Sequence, residues 1–252
     1  MTPPRIQQVG RDAYLVTGTA VSWVVVREGR DVTLVDGGYP ADADRLEASL
    51  AALGHRPEDV RAVLVTHAHV DQTGGVVRLH ERHGTPVLAH PDELPGLRGE
   101  RAEQATPLDV ARRAWRPRVA RWGLAVSAAG ATRHPRLPDA TAYALGDPLD
   151  LPGRPVPVPT PGHTSGHAAY LFAGGVLATG DALVTGHPLS RIAGPQLLPD
   201  FFTHDPAGAD AALDRIAALD AGVLAPGHGP AWHGSLAVAV ERARRGAPAR
   251  LR

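Results

Sequence analysis

The stretch Thr66-His67-Ala68-His69-Val70-Asp71-Gln72-Thr73-Gly74-Gly75 decides the fold of this chain of 252 residues. It follows a short apolar run at residues 60–65, which is typical of a buried β-strand, and precedes a helical pattern at residues 76–83. Its two histidines and its aspartate alternate, so in an extended backbone they point to one side, and the closing glycine pair is expected to turn the chain into the helix. Two imidazoles and a carboxylate at a strand end suit a divalent ion such as zinc.

Three more polar residues occur in the same setting, each after an apolar strand pattern and beside a glycine. They are His163 in Pro161-Gly162-His163, Asp181 in Gly180-Asp181, and His228 in Pro226-Gly227-His228. A single Pro-Gly-His tripeptide is more often a turn with a solvated histidine. Four strand ends that each combine glycine with histidine or aspartate predict a metal site.

The composition excludes several kinds of chemistry. All 26 basic residues are arginine, and the chain has no lysine, cysteine or asparagine, which rules out Schiff bases, thiol nucleophiles and cysteine-bound clusters. The formal net charge of +0 disfavours nucleic acid and anionic membranes as partners, and a small-molecule substrate is expected. No apolar segment has the length of a membrane span or the form of a secretion signal, so we expect a cytoplasmic protein.

Strand and helix patterns fall into two similar halves. Residues 14–35 predict a meander of antiparallel strands, and residues 41–53 predict a helix. The strand pattern returns after residue 156, with amphipathic helices predicted at residues 207–219 and 235–245.

An arginine-rich helical insertion at residues 91–155 separates the halves and contains Trp115 and Trp122. We interpret it as a cover over the core and not as a separate domain. Its arginines either form a solvated helix face or meet an anionic or aromatic substrate.

The strand-end residues resemble the signature of the metallo-β-lactamase superfamily, H-x-H-x-D-H followed by a histidine, a bridging aspartate and a final histidine. The resemblance runs from Asp36-Gly37-Gly38 to Pro226-Gly227-His228. It implies an α/β fold, an αβ/βα four-layer sandwich of two β-sheets flanked by helices, formed by a single domain over residues 1–252. It also implies a ligand set: His67, His69 and His163 at the first metal position, a bridging Asp181, and Asp71 and His228 at the second.

Gln72 departs from this signature, which has histidine at that place. An amide oxygen is a poorer zinc ligand than an imidazole, so the second position loses a donor. Either Gln72 serves as a weak ligand of a second ion, or the site holds one ion and Asp71 is free to act as a catalytic base. We expect one tightly bound ion and a weak or absent second.

Further residues are assigned to the surroundings of the site. His167 resembles a residue that hydrogen-bonds a ligand and does not bind the metal itself. The segment between Asp181 and His228 is expected to line a substrate pocket with Arg191, His187, His204, Phe201 and Phe202.

The resemblance implies a metal-dependent hydrolase of a small ester, thioester, lactone or amide. Zinc would lower the pKa of its bound water to about 7, and Asp71 would accept the proton. Homoserine-lactone hydrolases fit less well, because they usually place a tyrosine near the site and residues 181–228 contain none.

Two alternatives from other classes stay open. One is a mononuclear iron oxidoreductase similar to persulfide dioxygenases, using His67, His163 and Asp181. The other is a cyclase or dehydratase of polyketide-type intermediates, for which the insertion would accommodate a flat aromatic substrate.

Overall fold

Two β-sheets form the centre of the molecule in a computed structural model that describes residues 4–133 and 135–246. The strands are β1 (Arg5–Gln8), β2 (Ala13–Thr17), β3 (Ser22–Glu28), β4 (Asp31–Val35), β5 (Val60–Leu64), β6 (Val87–Ala89), β7 (Thr141–Ala142), β8 (Val156–Pro159), β9 (Ala168–Phe172), β10 (Val176–Gly180), β11 (Val223–Pro226) and β12 (Trp232–His233). One sheet has seven strands in the order β1-β2-β3-β4-β5-β6-β7, and the other has five in the order β12-β11-β10-β9-β8. Strands β4 to β7 run parallel, as do β10 and β11.

The described residues form seven helices. They are α1 (Ala43–Ala52), α2 (Val70–His83), α3 (Leu94–Leu97), α4 (Pro107–Ala111), α5 (Pro117–Ala128), α6 (Pro206–Ala217) and α7 (Leu236–Arg245), with short 3₁₀ turns at Pro40–Asp42, Pro57–Asp59, Pro91–Glu93 and Asp200–Phe202.

Three hydrophobic cores order these elements into layers. The seven-stranded sheet packs against α1 and α2 through Leu46 and Leu79. A second core, which includes Val24 and Tyr170, fills the space between the two sheets. The five-stranded sheet packs against α6 and α7 around Leu213. The predicted αβ/βα four-layer sandwich is therefore confirmed.

The loops that follow β5, β8, β10 and β11 meet at one edge of the sandwich. Backbone hydrogen bonds hold the edges of the two sheets together there. The N–H of Ser22 donates to the carbonyl of Gly227 at 2.7 Å, and the N–H of Ala168 donates to that of Thr66 at 3.1 Å. The predicted strand-end residues consequently come from both halves of the chain to one place.

Helix α2 begins at Val70 and not at residue 76 as the sequence pattern predicts. Asp71 therefore lies in its first turn, so the expected extended alternation with the two histidines is wrong. Gly74 and Gly75 lie inside the helix and do not form the expected turn. A Cβ on Gly75 would stand 2.1 Å from the carbonyl oxygen of Gly37, so the glycines serve the close approach of α2 to the loop after β4.

Gly75→Ala is expected to destabilise the protein despite alanine's better helix propensity. The propensity gain is about 1 kcal/mol, whereas the contact with Gly37 is with rigid backbone and costs about 3 kcal/mol. We expect thermal denaturation to show a melting temperature lower by about 5 °C or more. Gly174→Ala is the control, because a Cβ there meets nothing within 4 Å. Equal melting temperatures for the two variants would contradict this role of Gly75.

The insertion at residues 91–155 contains α3, α4, α5 and β7. Strand β7 pairs with β6, and Leu97 and Leu137 belong to the core of the seven-stranded sheet. No helix within the described ranges has the length and apolar character needed to cross a bilayer. The assignment of residues 1–252 to a single domain stays a prediction.

Candidate metal centre

Three histidines converge through their ring nitrogens at the shared sheet edge. Nε2 of His163 lies 3.2 Å from Nε2 of His67 and 3.1 Å from Nδ1 of His69. Three nitrogens around a tetrahedral zinc ion, with bonds of about 2.0–2.1 Å, stand about 3.3 Å apart. The spacing of these nitrogens therefore fits three ligands of one ion.

In His67 and His69, a hydrogen bond to one ring nitrogen determines which of the two nitrogens faces the cluster. Nδ1 of His67 lies 3.0 Å from Oγ1 of Thr66, whose own proton goes to Asp36 Oδ2 at 2.8 Å. Nε2 of His69 lies 3.2 Å from the backbone carbonyl of Glu103. Each of these nitrogens is thus a donor, which leaves the lone pair of the other nitrogen directed into the cluster.

Burial keeps two of the rings neutral. Desolvation, reinforced by the neighbouring imidazoles, holds the pKa of His67 and of His163 well below the usual 6.5. Neutral imidazole is the form that binds a metal, so the environment favours ligation.

A second group of donors adjoins the three histidines. Oδ2 of Asp181 lies 3.5 Å from Nε2 of His163 and 3.3 Å from Nε2 of His228, so this carboxylate stands between the two groups. Oδ2 of Asp71 lies 3.4 Å from the same His228 nitrogen. Nδ1 of His228 bonds the carbonyl of Ala20 at 2.7 Å, which turns Nε2 towards the carboxylates.

A positive charge stabilises the second group of donors, Asp71, Asp181 and His228. Burial lowers the pKa of His228, but Asp181 and Asp71 outweigh it and raise the pKa well above 6.5. Two buried carboxylates are stabilised by a cation, which a protonated imidazole or a divalent metal supplies. Oδ1 of Asp181 is also buried without a hydrogen-bond partner among the described residues. A nitrogen and oxygen donor set of this kind fits zinc or iron.

Gln72 lies in the first half of α2 with no exposed surface. Neither Oε1 nor Nε2 of its amide finds a hydrogen-bond partner among the described residues. An unsatisfied buried amide costs about 1–3 kcal/mol, so this side chain favours a ligand or water that would satisfy it. Its predicted role as a weak metal ligand stays a prediction.

His167 supports the centre through the backbone of a carboxylate residue. Its Nε2 accepts the backbone N–H of Asp181 at 3.1 Å, and its Nδ1 lies 2.8 Å from Oγ1 of Thr160. Burial lowers the pKa of His167 to about 3, so the ring is neutral and donates from Nδ1. Both ring nitrogens are engaged away from the cluster, in keeping with the predicted hydrogen-bonding role.

Two glutamates of the insertion hold the ligand-bearing loops, and sequence reasoning missed both. Glu93 is buried and accepts the backbone N–H groups of Ala68 at 2.9 Å and Gly166 at 3.1 Å. Glu103 accepts the N–H of Ser165 at 2.7 Å and its hydroxyl at 2.6 Å. The insertion therefore positions the loops that carry the histidines, and no spacing in the sequence marks these two acids.

A cavity of about 440 Å³ opens in front of the converging side chains. Of the predicted pocket residues, His187 and Phe202 line it, and Phe201 packs behind Phe202 with ring centroids 4.0 Å apart. Arg191 and His204 are exposed and do not line the cavity, so the prediction for them is wrong.

Tyr39 is a cavity residue that the sequence did not point to. Its side chain is buried, and burial together with Asp71 and Asp181 raises the pKa of the phenol well above 10, which keeps it protonated. A tyrosine does therefore reach the site, from outside residues 181–228. The lack of a tyrosine in residues 181–228 is therefore no argument against a homoserine-lactone hydrolase.

Known proteins resemble this chain in sequence and in fold. Residues 16–228 match the family model described as metallo-beta-lactamase superfamily. A hydroxyacylglutathione hydrolase from Alkalilimnicola ehrlichii is 34% identical over 170 residues, 65% of this chain but 47% of that protein. The chain thus spans about half the length of this relative.

Two solved structures superpose on nearly the whole chain. A metallo-β-lactamase family protein from Thermus thermophilus is 28% identical with a TM-score of 0.65, covering 92% of this chain and 77% of the other. A Cronobacter sakazakii metallo-β-lactamase with a HARLDQ motif is 19% identical with a TM-score of 0.70, covering 96% and 92%. The second likeness concerns the fold alone. Because the family model covers most of the chain, the protein belongs to the metallo-β-lactamase superfamily.

Proposed function

We propose that this protein is a zinc-dependent hydrolase that cleaves a small ester, thioester, lactone or amide. The observation that carries the proposal is the convergence of six donor residues beside a substrate-sized cavity. They are His67, His69, His163, Asp71, Asp181 and His228. The relative named as a hydroxyacylglutathione hydrolase supports a thioester among the substrates.

The three histidines would hold the first ion, with Asp181 beside them. Bound zinc supplies Lewis-acid polarisation and makes water a nucleophile near neutral pH. A catalytic zinc ion needs three protein donors and keeps a further position for water, so the three histidines do not depend on Gln72.

Asp71 is the residue that would move the proton. Its carboxylate lines the cavity and lies 3.4 Å from Nε2 of His228. It accepts a proton from the attacking water and returns it to the leaving group, while the acyl carbon keeps the hydroxyl. Burial raises the pKa of Asp71, but His228 outweighs burial and holds it below the usual 3.8, so the carboxylate is ionised at neutral pH.

Gln72→His is expected to raise the metal content from one ion per chain towards two. The substitution adds an imidazole donor next to Asp71 on α2. The measurement is elemental analysis after dialysis against metal-free buffer, with Gln104→His, on the cavity wall outside α2, as the control. Two tightly held ions in the wild type would contradict the single-ion prediction.

Elemental analysis of protein purified without added metal, followed by assays on a panel of esters, thioesters, lactones and amides, tests the proposed function. Zinc together with turnover of at least one panel member supports it. Iron together with oxygen consumption would support the oxidoreductase alternative instead. Turnover of a poly-β-ketone without any hydrolysis would support the cyclase alternative. The cytoplasmic location stays a prediction.

A further inference from the structure

The insertion builds an apolar wall on the cavity. Helices α4 and α5 and the turn between them contribute Val110, Ala114, Val119, Trp122, Leu124 and Val126 to the lining. Across from them, Phe202 packs edge-on against Trp122, with ring centroids 5.6 Å apart. The apolar lining continues to the rim, because Leu124 lines the cavity although 73% of its surface is exposed.

The apolar wall itself carries no charged residue, and the charged side chains of the lining lie at the metal centre. Among the described residues that line the cavity, Asp71 and Asp181 are the carboxylates, and none is an arginine. Two arginines of the insertion contact other groups of the protein. Arg113 lies over the ring of Phe201 at 4.4 Å, and Arg118 donates to the carbonyl of Ser190 at 2.8 Å. Of the two alternatives for the arginines of the insertion, contact with a substrate inside this cavity is therefore not supported by the lining.

A second cleft, which shares His69, Val70 and Gln104 with the larger cavity, does carry arginines. It has a volume of about 160 Å³ and is lined by Arg101, Arg133 and Arg136 together with Glu93 and Glu103. Arg101 pairs with Glu103 at 3.2 Å, so part of its charge is compensated. A negatively charged substrate group would be bound in this cleft and not in the larger cavity.

We propose that the 440 Å³ cavity receives an uncharged apolar group of the substrate, an alkyl chain or an aromatic ring next to the bond that is cleaved. This inference rests on the proposed hydrolase function and specifies its substrate class. A volume of this size is typical of a small-molecule site. Each methylene buried against the wall strengthens binding about fourfold, whereas a carboxylate placed against this wall, away from the metal centre, would lose its water without gaining a cation.

The direct test compares two p-nitrophenyl esters that differ only at the end of the acyl chain. Pentanoyl ends in a methyl group, and glutaryl, with the same number of carbons, ends in a carboxylate. With the metal-loaded enzyme we expect kcat/KM to be about 100-fold higher for the pentanoyl ester. Equal rates, or faster cleavage of the glutaryl ester, would overturn the proposal in favour of the arginine-lined cleft.

Two variants localise the preference to the cavity wall. Leu124→Arg places a cation at the exposed rim and is expected to reduce the 100-fold preference to about tenfold or less. Trp122→Ala removes the largest apolar side chain of the wall and is expected to lower kcat/KM for the pentanoyl ester about tenfold. Trp115→Ala is the matched control, because this second tryptophan of the insertion is 76% exposed and does not line the cavity. An unchanged preference in Leu124→Arg would overturn the proposal even if Trp122→Ala fails to fold.

A binding measurement separates this proposal from the hydrolase function. N-Phenyl-1-naphthylamine is neutral, and its emission rises in apolar surroundings. We expect saturable binding to the wild type and to Trp115→Ala, and binding at least fivefold weaker for Trp122→Ala. Such binding without cleavage of any ester would support the apolar site and contradict the proposed hydrolase function. Ester cleavage with no probe binding and no preference for the pentanoyl ester would support the hydrolase function and overturn the proposal of an apolar substrate site.

Discussion

His67→Ala is expected to abolish both metal binding and hydrolysis. His67 is fully buried, and its Nε2 is one of the two nitrogens that lie within 3.2 Å of Nε2 of His163. Loss of this donor leaves two histidines for the first ion, and the pKa of water then returns towards that of bulk solvent. We expect kcat/KM to fall by more than about 1,000-fold and the metal content after dialysis to approach zero.

The control for this prediction is His204→Ala. His204 is an exposed histidine that does not line the cavity, so its replacement tests whether loss of any histidine is enough. Circular dichroism of both variants reports whether the fold persists. A His67→Ala protein that kept its metal and its activity would remove the three-histidine site from the proposal.

Asp71→Asn is expected to lower kcat by about 100- to 10,000-fold while the metal content stays close to that of the wild type. Asparagine keeps the shape of the side chain but cannot accept a proton as a carboxylate does. The His67, His69 and His163 nitrogens are untouched, so the first ion should be retained. Steady-state kinetics and elemental analysis on the same preparation measure the two effects together.

The matching control is Asp147→Asn, at an exposed aspartate outside the cavity lining. If Asp71→Asn lost its metal and its activity in parallel, Asp71 would be a ligand of the tightly bound ion and not the base. Full activity with normal metal content would exclude both roles.

Much of the candidate site follows from local sequence because its residues stand at strand ends. The apolar run before His67 predicts β5, and similar runs precede Asp181 and His228 as β10 and β11. The carboxyl ends of neighbouring parallel strands lie at one edge of a sheet. Predicting a strand therefore also predicts where the residue that follows it lies. Few residues separate each strand end from the site residue that follows it, so the side chains converge.

Other features depend on packing between distant segments and leave no local pattern. Helix α2 begins at Val70 and packs through Gly75 against Gly37 in the loop after β4, a contact that no local pattern marks. Tyr39 and Glu93 reach the centre only because the loop after β4 and the insertion fold over the same edge. Arginine-rich helices have the same sequence whether they face water or substrate, and only the cavity lining distinguishes the two cases.

The joining of the two sheets at the metal centre has a consequence for the order of synthesis. His163 is 96 residues beyond His67, and His228 bonds the carbonyl of Ala20, which precedes it by 208 residues. A chain leaving the ribosome carries the first pair of histidines long before their partners have been translated. The full set of donors is therefore present only after His228 has been translated, and an ion captured earlier would be held by an incomplete set.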